Sequence, residues 1–265
     1  DPNNLGPILT YDESIAAISD LLNEAKTDLT GAAIVFALNS GFTDLSDGPG
    51  LIKLNRAIAA RVDVYRKLWT VALTDLAASF LDINGDFTKG AYEIFSTGSG
   101  DVLNPAYFDQ NAAGEVRLAH PSYVTDISAG DSRIGKATLR TATASNSGLS
   151  SNRDVWVYRS STAPIPIIRN EELVLLYAEA NFQLDQLPAG KTALDKVRAT
   201  YGQTPTGALS KESFLTEMLR QRRFSLYYEG HRWIDMRRYN LLESLPKDRA
   251  GDDVWVNMPI PSTEQ

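Results

Sequence analysis

The chain contains no cysteine, which excludes disulfides, thiolate catalysis and zinc sites built on sulfur. It has two histidines, His120 and His231, in separate segments and without a partner at metal-ligand spacing. No apolar run approaches the roughly 18 residues of a membrane span. No basic stripe of the kind that grips nucleic acid is present, and the net charge is −7. The HExxH, GxSxG and phosphate-loop patterns are missing, so no catalysis, metal or cofactor is expected. No secretory leader is visible. The opening Asp1-Pro2-Asn3-Asn4 has loop character, which leaves a cytoplasmic protein or a processed or truncated piece.

What is present suits an ordinary globular fold. With 265 residues, 43% hydrophobic and 22% charged, the chain can bury a substantial core. Apolar residues recur at three and four over Tyr11 to Leu29 (Ile15, Ile18, Leu22, Ala25, Leu29), with Asp12 and Glu13 in the first turn, and predict a helix. Gly31 to Gly50 has loop composition. Leu51 to Leu81 predicts two helices broken near Lys67, with small residues (Ala57, Ala60, Ala72) spaced as in tetratricopeptide-type hairpins. Asn170 is the expected cap of a further helix whose buried face is Leu173, Leu176, Tyr177, Ala180 and Leu184. Leu187-Pro188-Ala189-Gly190 is the expected turn before its partner, marked by Ala193, Leu194, Val197 and Tyr201. Ser210 caps a third pair that breaks at Gly230.

Between Asp82 and Pro166 helical periodicity disappears, and residues 82–166 form a loop-rich excursion with short strands expected at Val116–Leu118 and Val155–Tyr158. Asp82, Asn84, Asp86 and Glu93 fall at positions 1, 3, 5 and 12 of a calcium loop, but Phe87 stands where the sharp turn needs glycine, so a plain turn is expected. Tyr92, Phe95, Tyr107, Phe108, Tyr123, Trp156 and Tyr158 sit among loop-forming residues. Any one such ring more often plugs a loop onto the helices than meets a ligand. As a group they are the best ligand candidates, because flat rings give contact area at little entropic cost and suit the apolar faces of sugars. Tyr107, Phe108, Tyr123, Trp156 and Tyr158 are the named candidates.

Glu229, Arg232 and Asp235 are spaced i, i+3, i+6 and would line one helical face, with Arg222 and Arg223 a turn or two before. No nucleophile or metal ligand accompanies them, so a semi-buried ion network is the expected role rather than catalysis.

Several segments together resemble the SusD/RagB family of surface nutrient-binding lipoproteins of Bacteroidetes. They are Tyr11-Asp12-Glu13-Ser14 onward, Ala57 to Val62 with Tyr65 and Trp69, Arg169-Asn170-Glu171-Glu172 through Glu179-Ala180, Asp195-Lys196-Val197-Arg198, Glu229 to Arg238, and Pro259-Ile260-Pro261 with Glu264. The resemblance covers nearly the whole chain, and its signature residues here are Arg169, Glu179, Arg222, Glu229, Arg232, Trp233 and Asp235. The chain departs from the family at Gln221 and Ser225, where acidic residues are usual, which weakens one ion pair. The family's lipid-bearing cysteine and first helices are missing, so the chain is expected to be the C-terminal portion of a longer protein, forming one domain over 1–265. The resemblance implies a mostly α fold of tetratricopeptide-like helical hairpins with a long loop-rich insertion and few short strands. It further implies no catalysis, location on the outer membrane through a lipid anchor absent from this chain, an oligosaccharide or peptide ligand, and a SusC-like TonB-dependent transporter as partner. Two other readings stay open: a helical adaptor that binds protein on its concave face, and a glycan-cleaving enzyme with two carboxylates about 5–10 Å apart.

Overall fold

The computed structural model describes residues 7–259. Asp1–Asn4 and the closing Ile260, Pro261 and Glu264 of the sequence reading lie outside them. Helix α1 (Tyr11–Leu29) opens with a capping box in which the Thr10 hydroxyl accepts from the Glu13 backbone N–H and the Glu13 carboxylate accepts from that of Thr10. It packs on α2 (Gly48–Tyr65), which pairs with α3 (Trp69–Ala78). The break falls at Lys67, held at φ 60°. α2 starts earlier than expected because Asp47, inside the segment expected to be loop, caps it by accepting from the Gly50 N–H at 2.7 Å.

The remaining helices are α4 (Ser122–Asp126), α5 (Asn170–Gln183), α6 (Leu187–Thr200), α7 (Lys211–Ser225) and α8 (Arg232–Arg238). Helix α5 is central. It touches α2, α3, α6 and α7, so it is buried on every side rather than along one stripe: Val174, Leu175, Ala178 and Phe182 join Leu173, Leu176 and Ala180 in the core. Each such large apolar side chain contributes about 1.5–3 kcal/mol on burial. On one side α5 meets Leu54, Ala57, Ala60, Val64 and Leu76. On the other it meets Leu194, Val197, Phe214 and Met218, where the Phe182 and Phe214 rings stack 4.3 Å apart.

Three expectations about helix ends and faces are corrected. Asn170 is the first residue of α5 rather than its cap. Its side chain is already committed to the 82–86 loop, accepting from the Asp82 N–H and donating to the Asp82 and Asp86 carbonyls. Leu187-Pro188-Ala189-Gly190 is the first turn of α6 and not a separate turn, since proline lacks only an N–H that the first turn leaves unpaired anyway. Ile18 of α1 is 47% exposed, so the buried stripe of α1 is narrower than its periodicity implied. At Gly190 a Cβ would sit 2.9 Å from the Ala178 carbonyl oxygen and 3.2 Å from the Phe214 ring. Gly190→Ala is therefore expected to force α5 and α6 apart and lower stability by about 1–3 kcal/mol in a denaturant titration.

The excursion is more regular than its composition suggested. Strand β1 (Gly90–Glu93) pairs antiparallel with β4 (Ile165–Arg169), closing the excursion at its base. Between them β2 (Ala137–Asn146) and β3 (Leu149–Val155) form a long hairpin. The expected strands at 116–118 and 155–158 shift accordingly: Leu118 makes only an isolated bridge to Asp154, and the second strand ends at Val155. The hairpin turn is Ser147-Gly148, both at positive φ (52° and 80°), the backbone that a two-residue hairpin loop demands. Asp82 and Asp86 turn their carboxylates onto the N–H groups of Asn84 and Thr88, as ordinary turn residues do.

Candidate functional site

The excursion is seated on the helices by three cations that converge on the C-terminal end of α7. Arg169 donates to the Ser225 carbonyl at 2.8 Å, Lys136 to the carbonyls of Ser225 and Phe224 at 2.5 and 3.1 Å, and Arg133 to the carbonyl of Gln221 at 3.4 Å. Cations suit this end because the last carbonyls of a helix lack partners and carry its negative pole. Burial pushes the Lys136 ammonium down to about 8. Arg133 also donates to the Gln221 side-chain oxygen (2.6 Å) and the Ser225 hydroxyl (2.8 Å), while Asp131 pairs with it at 2.6 Å. Gln221 and Ser225 are the two positions where acids were expected. Here neutral oxygens take the role, because Asp131 already supplies the countercharge.

The charged signature residues fall into two groups, one around Arg169 and one running from Arg222 to Glu179. Arg169 meets Glu229 at 2.8 Å and also Glu171. Arg222 donates to Asp235 at 2.7 Å, and Asp235 also takes Arg238 at 2.8 Å. Arg238 in turn donates to Glu179 at 2.6 Å, which accepts from the Tyr239 hydroxyl as well. Burial alone would raise the Asp235 carboxyl, but Arg222 and Arg238 outweigh it and hold it below its ordinary value. Glu172, which clamps Arg61 of α2 through two 2.6 Å bonds, is lowered against its own burial by that guanidinium. The expected single face of Glu229, Arg232 and Asp235 does not form. Tyr228 (φ 67°) and Gly230 (φ 82°) break the helix, so Glu229 lies in the turn before α8 and faces Arg169, whereas Asp235 points into the core. Trp233 donates its indole N–H to the Trp255 carbonyl at 3.0 Å. Arg232 has no carboxylate partner among the described residues, and its one hydrogen bond is a 3.4 Å contact to the Leu219 carbonyl.

The five candidate aromatics separate into three places. Tyr123 is 1% exposed, under Tyr227 (rings 4.2 Å apart) and against Phe224 (5.2 Å), with its hydroxyl donating to the Arg133 carbonyl. It seats the excursion on α7. Tyr158 is also buried, 6.0 Å from Tyr228. Phe108 lies beneath the Arg117 guanidinium at 4.1 Å. Tyr107 and Trp156 come together at the surface, half-buried, with centroids 6.1 Å apart and planes tilted by 48°.

Backbone bonds hold this last pair in place. The Trp156 N–H reaches the Lys136 carbonyl at 2.8 Å, and Asn104 ties the loop before Tyr107 to the carbonyls of Ser161 and Ala163. Asp109, bonded to the Tyr107 hydroxyl, raises the proton affinity of that phenol and stands beside Gln110 as a polar rim. Sequence reasoning missed Tyr227, Tyr228 and Trp233 as surface aromatics. Placed inside a charged helical signature, they gave no sign of facing a cleft.

A model of the SusD family matches residues 124–258. No curated protein matches the chain. Among solved structures, the fold is similar to a surface glycan-binding protein A from Bacteroides uniformis (TM-score 0.60, 14% identity, 89% of this chain and 59% of that one). It is also similar to a SusD-like carbohydrate binding protein from Bacteroides vulgatus (0.58, 16%, 84% and 51%), and to a SusD superfamily protein from Parabacteroides distasonis (0.57, 15%, 82% and 56%). The chain thus spans about half to three-fifths of the length of these structures. Among the described residues no helix is long and apolar enough to cross a membrane.

Proposed function

We propose that this chain, which belongs to the SusD family, captures an oligosaccharide at the outer surface of the cell without cleaving it and passes it to a TonB-dependent, SusC-like transporter. The full-length protein would be held at the outer membrane by a lipid anchor borne outside this chain. The observation that carries the reading is the Tyr107–Trp156 pair: two rings, half-open to solvent, tilted to one another and fixed by backbone bonds. Such a pair offers two apolar faces to the C–H surface of a sugar, and Asp109 and Gln110 beside it offer partners for hydroxyls. Because the rings are positioned before the ligand arrives, little ordering entropy is lost on binding.

A non-catalytic role is supported by the acids. Glu229 and Asp235, the acids of the signature segment, are both committed to arginines, Glu229 to Arg169 and the buried Asp235 to Arg222. Calorimetric titration with neutral oligosaccharides, with product analysis of the same samples, tests the proposal. Saturable binding without products is expected, with Trp156→Ala weakening it roughly tenfold while the melting temperature stays close to wild type. Cleavage products would overturn it, and unchanged affinity in Trp156→Ala would remove the pair from the site.

A further inference from the structure

A second recess lies apart from the Tyr107–Trp156 pair, between α4 and the α7–α8 turn, with a volume of about 580 Å³. Tyr227, Tyr228 and Trp233 give it aromatic walls, and Leu245 and Pro246 close one side. Its charge is lopsided. Arg223 and Arg232 both line it, and the one lining acid is Asp126; of the two lining histidines, His120 is bonded to Asp248 at 3.0 Å, and burial pushes the His231 imidazole down, towards its neutral form. Asp126 is already engaged: Arg223 donates to its carboxylate at 2.7 Å, and Arg220 donates to its backbone carbonyl at 2.8 Å.

Arg232 is left without a carboxylate among the described residues. Burial, and then the neighbouring Arg223 charge, depress its guanidinium against the weaker pull of Asp235 and Asp126. A half-buried arginine facing a second arginine is destabilised until an anion joins it, and the planar guanidinium fork matches a carboxylate in two parallel hydrogen bonds.

We infer that this recess is a subsite for a carboxylate-bearing sugar, with Arg232 taking the carboxylate and the Tyr227, Tyr228 and Trp233 rings taking the sugar face. The inference rests on the saccharide reading above and adds a charge class to it. The same feature predicts which sugars are refused: a methyl ester keeps the ring and removes the charge that Arg232 requires.

The test is calorimetry with uronate trisaccharides (galacturonate, glucuronate and mannuronate) and their methyl esters, on the wild-type chain and on Arg232→Gln. At least one free acid is expected to bind wild type about tenfold more tightly than its ester, with the preference shrinking as salt rises. In Arg232→Gln the acid should fall to the level of the ester while ester binding and melting temperature stay unchanged, because Arg232 makes only one weak bond among the described residues. Arg232→Lys should restore part of the preference. Equal affinity for acid and ester in wild type, with both binding, overturns the inference and leaves the proposed function standing. A preference that survives in Arg232→Gln also overturns it. Failure of every acid and ester to bind overturns the inference alone, because the proposed function stands or falls with the neutral oligosaccharides.

Discussion

Glu179→Ala is expected to cost about 3–5 kcal/mol of folding stability, the range for removing one partner of a buried ion pair. Glu179 is fully buried on α5 and accepts from Arg238 and from Tyr239 on and just after α8. Its removal leaves the Arg238 guanidinium, whose side chain is 6% exposed and whose Nε already lacks a partner, with Asp235 as its one remaining carboxylate among the described residues. For a domain of this size each kcal/mol moves the midpoint by about 2–4 °C, so a fall on the order of 10 °C is anticipated in a thermal melt. The double variant Glu179→Ala with Arg238→Met should recover most of the loss, since it removes the under-neutralised charge along with its partner while Asp235 keeps Arg222. If the single variant melts within a degree or two of wild type, the α5–α8 network does not hold the fold.

The second large effect depends on pH. Asp63 on α2 is 3% exposed, and one carboxyl oxygen has no hydrogen-bond partner. Burial and then the Asp75 carboxylate push it up to about 7, against the opposing pull of Arg66 and Arg56. Asp75 itself is held by Arg56 at 3.1 Å.

In the unfolded chain Asp63 releases its proton near 3.8. Between that value and about 7 the native state binds more protons than the unfolded state, so this group lowers stability steadily as pH rises across the interval. The loss is complete above it. Asp63→Asn keeps the shape of the protonated acid and cannot ionise. The variant should therefore melt several degrees above wild type at pH 8 and converge with it at pH 4. A melting difference that is the same at both pH values would show that Asp63 is not protonated in the native chain. The depressed acids Asp235 and Glu172 run the other way: their contribution is present above their ordinary values and is lost as pH falls through the lowered ones. Measuring wild type against Asp63→Asn cancels them.

The helices were largely legible because spacing of apolar residues reports the face that a helix buries. Tyr11 to Leu29, the break near Lys67, the Ser210 cap and the break at Gly230 all followed from local chemistry. What failed was information that depends on neighbours. Proline and glycine at 188 and 190 have the composition of a turn, yet sit at a helix start pressed against Ala178 and Phe214. The β2–β3 hairpin is built mostly of Ser, Thr, Ala and Asn with no sustained alternation, so only its Ser147-Gly148 turn carried a local signal. Arg238 and Glu179 stand 59 residues apart, and nothing in either segment says which acid a given arginine will meet. The aromatics show the same limit. Loop composition marked Tyr123 and Trp156 alike, but one is wedged under Tyr227 and the other looks outward, because a loop has no period from which its inner face can be read.

The seat of the excursion on α7 has a consequence for how such a surface can diverge. Arg133, Lys136 and Arg169 take hold of main-chain carbonyls, and every residue type supplies the same carbonyl. Apart from Gln221 and Ser225, whose side chains also serve Arg133, and Arg220, Arg223 and Phe224, which meet Asp126, Ser122 and Tyr123, the helix can change its side chains without loosening the grip. Loops beyond these contacts can change theirs without reference to the helix. A ligand-facing region attached in this way is interchangeable: new loops could be transplanted onto the same helices as long as they bring the three positive charges to the same end.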